Sequence, residues 1–238
     1  MKVITSVFLA CIALSGNAQN DTAESCMMIP MFTHNIGGSF QKFDGINGRV
    51  AGLPQFEQLK DYTATLGLGW LKEKNRMISS GSLTIGSSMT GDRDKKSSTI
   101  RYYGINADIG YDVIKSARVM FYPFVGLGFQ RYQAIFYKDN SAVDFDDVLE
   151  TPSVRNNISP AKFNNTFFVY RAGLGFSVSS PKCPGSSIGL QAGYTGSFKS
   201  HAWKSSENQA LGNAPVDKIS QVFASLVFIS TPKFMNRK

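Results

Sequence analysis

Residues 118–132, RVMFYPFVGLGFQRY, alternate with a period of two. Val119, Phe121, Pro123, Val125, Leu127 and Phe129 fall on one face, and Met120, Tyr122, Phe124, Gly126, Gly128 and Gln130 on the other. The first face is apolar throughout, while the second carries glycines and a polar group. This stretch therefore predicts a strand whose two sides meet different surroundings. The signature recurs at 66–70 (LGLGW) and 172–176 (AGLGF), again with leucine or an aromatic residue on one face and small residues on the other.

Similar runs cover much of the chain. Tyr62, Ala64, Leu66, Leu68 and Trp70 alternate with Thr63, Thr65, Gly67 and Gly69. Residues 77–89 place Leu83 and Ile85 opposite Ser82, Thr84 and Gly86. Tyr103, Ile105, Ala107, Ile109 and Tyr111 alternate with Tyr102, Gly104, Asn106, Asp108, Gly110 and Asp112. Further runs cover 168–178, 188–198 and 219–229. Between 44 and 61 the pattern breaks. There Asp44 is placed to cap a short helix carrying Ile46, Val50 and Leu53 before Pro54 ends it, which predicts a structured loop.

The links alternate short and long: 72–76, 114–117 and 180–186 are short, whereas 91–98, 138–165 and 199–217 are longer. Transmembrane β-barrels have this rhythm, with short periplasmic turns and longer extracellular loops. Seven runs are evident. Because a single-chain bacterial barrel takes an even number of strands, 29–43, with Phe32, His34, Ile36, Gly38 and Phe40 on one side, supplies the eighth. The fold class is all-β: an antiparallel up-and-down transmembrane β-barrel of eight strands.

A soluble barrel would keep its apolar face inside and cover its outside with Lys and Glu. Here the polar faces hold mainly Gly, Ser, Thr, Asn and Gln, which suit the crowded interior of a small barrel, and most Lys and Glu lie in the links. Tyr62, Trp70, Tyr103 and Tyr111 at strand ends suit aromatic girdles at two membrane interfaces. The apolar face is therefore the outer one, against lipid.

Composition supports this reading. Of 238 residues, 42% are hydrophobic and only 18% charged, below the usual quarter. The net charge of +8 comes from scattered Lys and Arg without a basic helix or an aromatic RNA motif, which argues against nucleic acid. Lys2, the apolar run 3–14 and the small-residue site at Gly16-Asn17-Ala18 read as a secretory signal peptide over 1–18. Cys11 after Leu9-Ala10 imitates a lipoprotein cleavage site, but apolar Ile12 to Leu14 continue beyond it, which makes lipidation the minor reading. A leader follows over 19–28, then the barrel over 29–230 and a basic tail over 231–238. No apolar run reaches the length of a transmembrane helix beyond the signal.

With these features the chain resembles the small outer-membrane β-barrel family of Gram-negative bacteria, the porin-like or OmpA-like transmembrane domains. The resemblance covers about 29–230 and rests on the signal peptide, the alternating strands and the loop rhythm. It implies an eight-stranded barrel in the cell outer membrane with its N-terminus in the periplasm. Family members commonly finish on an aromatic residue in the last strand, whereas here 230–238 extends beyond Phe228.

Several residues are candidates for chemistry. Asn106, Asp108, Asp112, Gln130 and Arg171 fall on inward faces, and a buried charge needs a partner, so they are expected to form a polar network that plugs the lumen. Cys26 and Cys183 are expected on the same periplasmic side, placed to form a disulfide. His201 lacks the His-x-Ser spacing of lipid-modifying barrel enzymes, since Trp203 follows two residues later, so no catalytic residue is assigned. Asp144, Asp146, Asp147 and Glu150 are oxygen ligands without the glycine of a calcium loop, and they read as a solvated acidic run. Arg93, Lys95, Lys96, Lys199 and Lys204 lie in the links, within reach of lipopolysaccharide phosphates. The expected protein is monomeric and non-enzymatic, with no cofactor or metal. Its partners are outer-membrane lipid and lipopolysaccharide, and its extracellular loops carry a structural or interaction role. A narrow diffusion pore and a lipid-modifying enzyme are the alternatives.

Overall fold

The computed structural model describes residues 30–92, 95–114, 116, 118–179 and 185–231. The period-two runs become β1 (Met31–Gln41), β2 (Tyr62–Lys74), β3 (Met77–Gly91), β4 (Ser97–Tyr111), β5 (Val119–Tyr137), β6 (Ala161–Ser179) and β7 (Ser186–Ser197). In the link after β7 lie the two-residue pieces β8 (His201–Ala202), β9 (Lys204–Ser205) and β10 (Val216–Asp217), followed by β11 (Ser220–Ser230). Each of β1 to β7 pairs antiparallel with its neighbour in sequence, β7 pairs with β11, and β11 closes on β1 from Phe32↔Ser230 to Gln41↔Gln221. The result is a closed eight-stranded up-and-down barrel, which leaves no sheet edge to hydrocarbon. Residues 1–29 and 232–238 lie outside the described residues, and with them the expected signal peptide, the leader and nearly all of the tail.

The two faces of each strand separate as the alternation demands. Leu66, Leu68, Leu83, Ile85, Ile105, Ile109, Val125, Leu127, Leu174, Leu190 and Leu226 all point outward and are about half exposed. Thr33, Thr65, Asn106, Asp108, Gln130, Thr195 and Gln221 point inward and are buried. Apolar outside and polar inside is the reverse of a water-soluble barrel, and it matches a wall immersed in lipid. Trp70 and Tyr111 stand toward the short-turn end of this wall, and Tyr62 and Tyr103 toward the long-link end.

The glycines of the repeated signature have a steric reason. A Cβ on Gly126 would run into the Asp108 carboxylate, and one on Gly175 into the Tyr122 ring. Each glycine thus lets the larger side chain of the adjacent strand lie flat across it. Pro123 is accommodated because the β4 ladder stops at Gly110↔Phe124, just before the position that lacks an N–H.

The first long link departs from expectation in detail. It does form a helix, α1 (Asp44–Val50), but Asp44 is already helical and the side chain before it makes no cap bond. Asp217 caps it instead: its carboxylate accepts the N–H of Gly45 at 2.8 Å and of Ile46 at 3.1 Å. Leu53 is exposed, and Leu59 takes the buried place expected for it. The link expected as polar and irregular over 138–165 is shorter, because β6 already begins at Ala161, and it contains α2 (Phe145–Glu150) and α3 (Pro152–Ile158). These sit on β5 and β6, each 19 residues long. A membrane strand needs only about 9–11 residues, so this hairpin projects well past the apolar belt.

Candidate functional site

The lumen is filled in three layers. At the short-turn end Leu71, Ile78, Tyr122 and Phe124 pack together with Met31, Met120 and Phe223. At the long-link end a larger cluster joins Ile100, Tyr102, Tyr132, Phe136, Phe167 and Val169 from the wall to Phe43, Ile46, Val50 and Leu59 from the first link, and to Trp203 and Ile219 from the last. Phe43 makes edge contacts with Tyr132 at 5.2 Å and Trp203 at 6.0 Å. The α1 link is thus folded into the barrel mouth as an apolar stopper. Trp203 also donates its indole N–H to Asp217 at 2.6 Å, so one buried carboxylate ties together α1, β10 and the largest ring of the cluster.

Between the apolar layers lies a polar belt. The Arg171 Nη1 donates to Asp108 Oδ2 at 2.8 Å, with the two side chains only 10% and 8% exposed. The guanidinium also sits over the rings of Phe223, at 4.8 Å, and Phe124, at 5.8 Å. Gln130 donates to Gln221 at 3.1 Å and accepts from the Tyr132 hydroxyl at 3.0 Å, while Gln191 donates to the Tyr122 hydroxyl at 2.8 Å. A cavity of about 50 Å³ remains among Asn35, Thr65, Asn106, Gln130, Arg171 and Gln221, room for a few water molecules at most. Pairing and hydrogen bonding are what allow such charges to be buried at all.

Of the residues expected to form this network, Asn106, Asp108, Gln130 and Arg171 meet in the belt. Asp112 does not. It lies just past the end of β4, where its carboxylate accepts the N–H groups of Ile114 at 3.2 Å and Phe121 at 3.1 Å and its carbonyl accepts from Arg76 Nε at 2.9 Å. It therefore staples the short turns. Tyr132, Gln191 and Gln221 join the belt without having been expected there, although the parity of Val222 and Phe228 already puts Gln221 on the inner face. Asp217 and Trp203 had no such signal, because they lie in a link without alternation.

The other candidates stand apart. His201 is exposed, with its ring edge-on to Phe167 at 5.6 Å. Asp144, Asp146, Asp147 and Glu150 belong to α2 and its cap, where Asp144 accepts the N–H of Asp146. Among the described residues no three His, Cys, Asp or Glu are grouped to hold a metal ion. Lys96 is engaged by Pro54 O at 3.2 Å and Glu57 at 3.6 Å, Lys95, Lys199 and Lys204 are exposed, and Arg93, Cys26 and Cys183 lie outside the described residues.

Among solved structures, the chain is similar to a major outer membrane protein from Thermus thermophilus, with a TM-score of 0.52 at 10% identity over 84% of this chain and 98% of that one. The fold is that of an outer-membrane β-barrel. Two more such barrels are similar to it: Neisserial surface protein A (TM-score 0.49, 11% identity, 85% of this chain and 97% of that one), and Ail, the attachment invasion locus protein of Yersinia pestis, in complex with the heparin analogue sucrose octasulfate (TM-score 0.45, 18% identity, 84% and 100%). No protein-family model matches the sequence, and no curated protein sequence does either.

Proposed function

We propose that this chain is a closed outer-membrane β-barrel whose interior serves stability and whose work is done by the long links on the extracellular side, as a structural or interaction surface. The observation that carries this reading is the three-layer filling of the lumen. A solute would have to displace a folded link, break a buried ion pair and cross a second apolar layer. Spending the interior on packing leaves the long-link end as the surface free to meet partners. There the β5–β6 hairpin projects furthest, and its α2 exposes Phe145 and Leu149, 73% and 58% accessible, on one side of the helix. Arg155 holds this tip in shape by donating to Leu149 O at 3.1 Å. The extracellular placement of the long links follows the general asymmetry of such barrels.

Conductance of the refolded protein in a planar bilayer tests the closed lumen, with heat-modifiable gel mobility reporting that it has folded. A folded, electrically silent barrel is the expected result. Discrete, stable channels would transfer the function to a diffusion pore lined by the polar belt.

A further inference from the structure

The outer wall of β4 and β5 carries two arginines where the apolar belt ends. Tyr103, Ile105 and Ile109 face lipid on β4, and Arg101 is the next outward position toward the long-link end. Val125, Leu127 and Phe129 face lipid on β5, and Arg131 follows them in the same direction. The register pairs Arg101 with Gln133 and Tyr103 with Arg131, so the arginines are diagonal neighbours with Cα atoms about 7–8 Å apart. Ser87 lies opposite Arg101 on β3. Arg131 donates to Asn208 Oδ1 at 3.2 Å, and neither arginine has a carboxylate partner among the described residues. Together with Ile85, Leu66, Tyr103 and Gln133 they border one concavity.

A guanidinium at the edge of hydrocarbon loses part of its hydration and needs an anion in exchange. Its planar fork matches the oxygens of a phosphate, and the match strengthens where the dielectric constant falls. We propose that this wall binds a phosphorylated saccharolipid of the outer leaflet. Arg101 and Arg131 take its phosphates, Gln133 and Ser87 meet sugar hydroxyls, and its acyl chains lie along Leu66, Ile85 and Ile105. The charge is complementary, and the site is continuous with the wall that already faces lipid. This inference rests on the long links facing outward, and it moves the lipid contact from the loop lysines to the barrel wall.

The test uses refolded full-length protein in phosphatidylcholine vesicles containing either lipid A or phosphatidylglycerol at matched charge, with lipid retained after detergent extraction counted by native mass spectrometry. The wild type should retain lipid A, and R101Q/R131Q should retain about tenfold less, the loss of roughly one charge-assisted contact. K72Q, on the same wall at the opposite membrane face, should match the wild type. If the double variant lacks the folded gel band, R101Q and R131Q are read singly, each expected to lose part of the retention. Failure to retain lipid A, retention indifferent to the arginines, or equal retention of phosphatidylglycerol overturns the proposal. Protease access to the 138–160 link on intact cells reads the orientation separately, so an inverted barrel is distinguished from a wall that binds no saccharolipid.

Discussion

Replacing Asp217 with asparagine keeps the size of the side chain but turns one acceptor oxygen into a donor. In the native site three donors converge on the carboxylate: the N–H groups of Gly45 and Ile46 and the indole N–H of Trp203, at 2.8, 3.1 and 2.6 Å. An asparagine can satisfy at most two of them, and its NH₂ faces the third. One orphaned buried donor costs about 1–3 kcal/mol, and the surviving bonds lose their charge assistance, so the latch weakens by about 2–4 kcal/mol. The barrel wall is untouched, so the loss should appear as local opening of the stopper rather than global unfolding. Trypsin acting at Arg49 and Lys60 reads that opening, because cleavage follows the open population when reclosing is fast. The expected acceleration is roughly 30-fold to several-hundred-fold, with the folded gel band of the uncut barrel retained. Cleavage within about threefold of the wild type in a folded D217N protein would refute the latch and, with it, the account of α1 as a held stopper.

Two further predictions concern the lumen. Arg171→Met strands a buried Asp108 and should lower stability by about 3–5 kcal/mol in urea unfolding of the refolded barrel, whereas adding Asp108→Leu should recover most of the loss; a single variant within about 1 kcal/mol of wild type would show that the pair is not load-sharing. Gly175→Ala forces a methyl group against the Tyr122 ring and should cost about 1–3 kcal/mol by the same assay, with partial rescue by Tyr122→Leu. An unshifted urea-unfolding curve for Gly175→Ala would remove the steric reading of the repeated glycines.

The alternation of Leu66, Leu68, Leu127 and Leu174 against glycine and small polar residues was enough to place seven strands and to tell the lipid side from the lumen, and the even strand count of a closed barrel supplied β1. Side-chain direction in a strand follows directly from residue parity, so these features are local. The same parity put Asp108, Asn106, Gln130 and Arg171 inside, although it could not say that Arg171 and Asp108, 63 residues apart, would touch. It also carried Asp112 inward by one step too many, because the strand ends at Tyr111 and parity has no meaning in the turn beyond it.

What parity cannot reach is contact between links. The capping of α1 by Asp217 joins residues 171 and 172 positions apart, and the burial of Trp203 against Phe43 depends on both links arriving at the same barrel mouth. Sequence pattern alone therefore determined the wall of this protein, since each strand's two environments are written into consecutive residues. Closure of the barrel decided the stopper, the ion pair and the arginine row on the wall, because only register and three-dimensional proximity bring those side chains together.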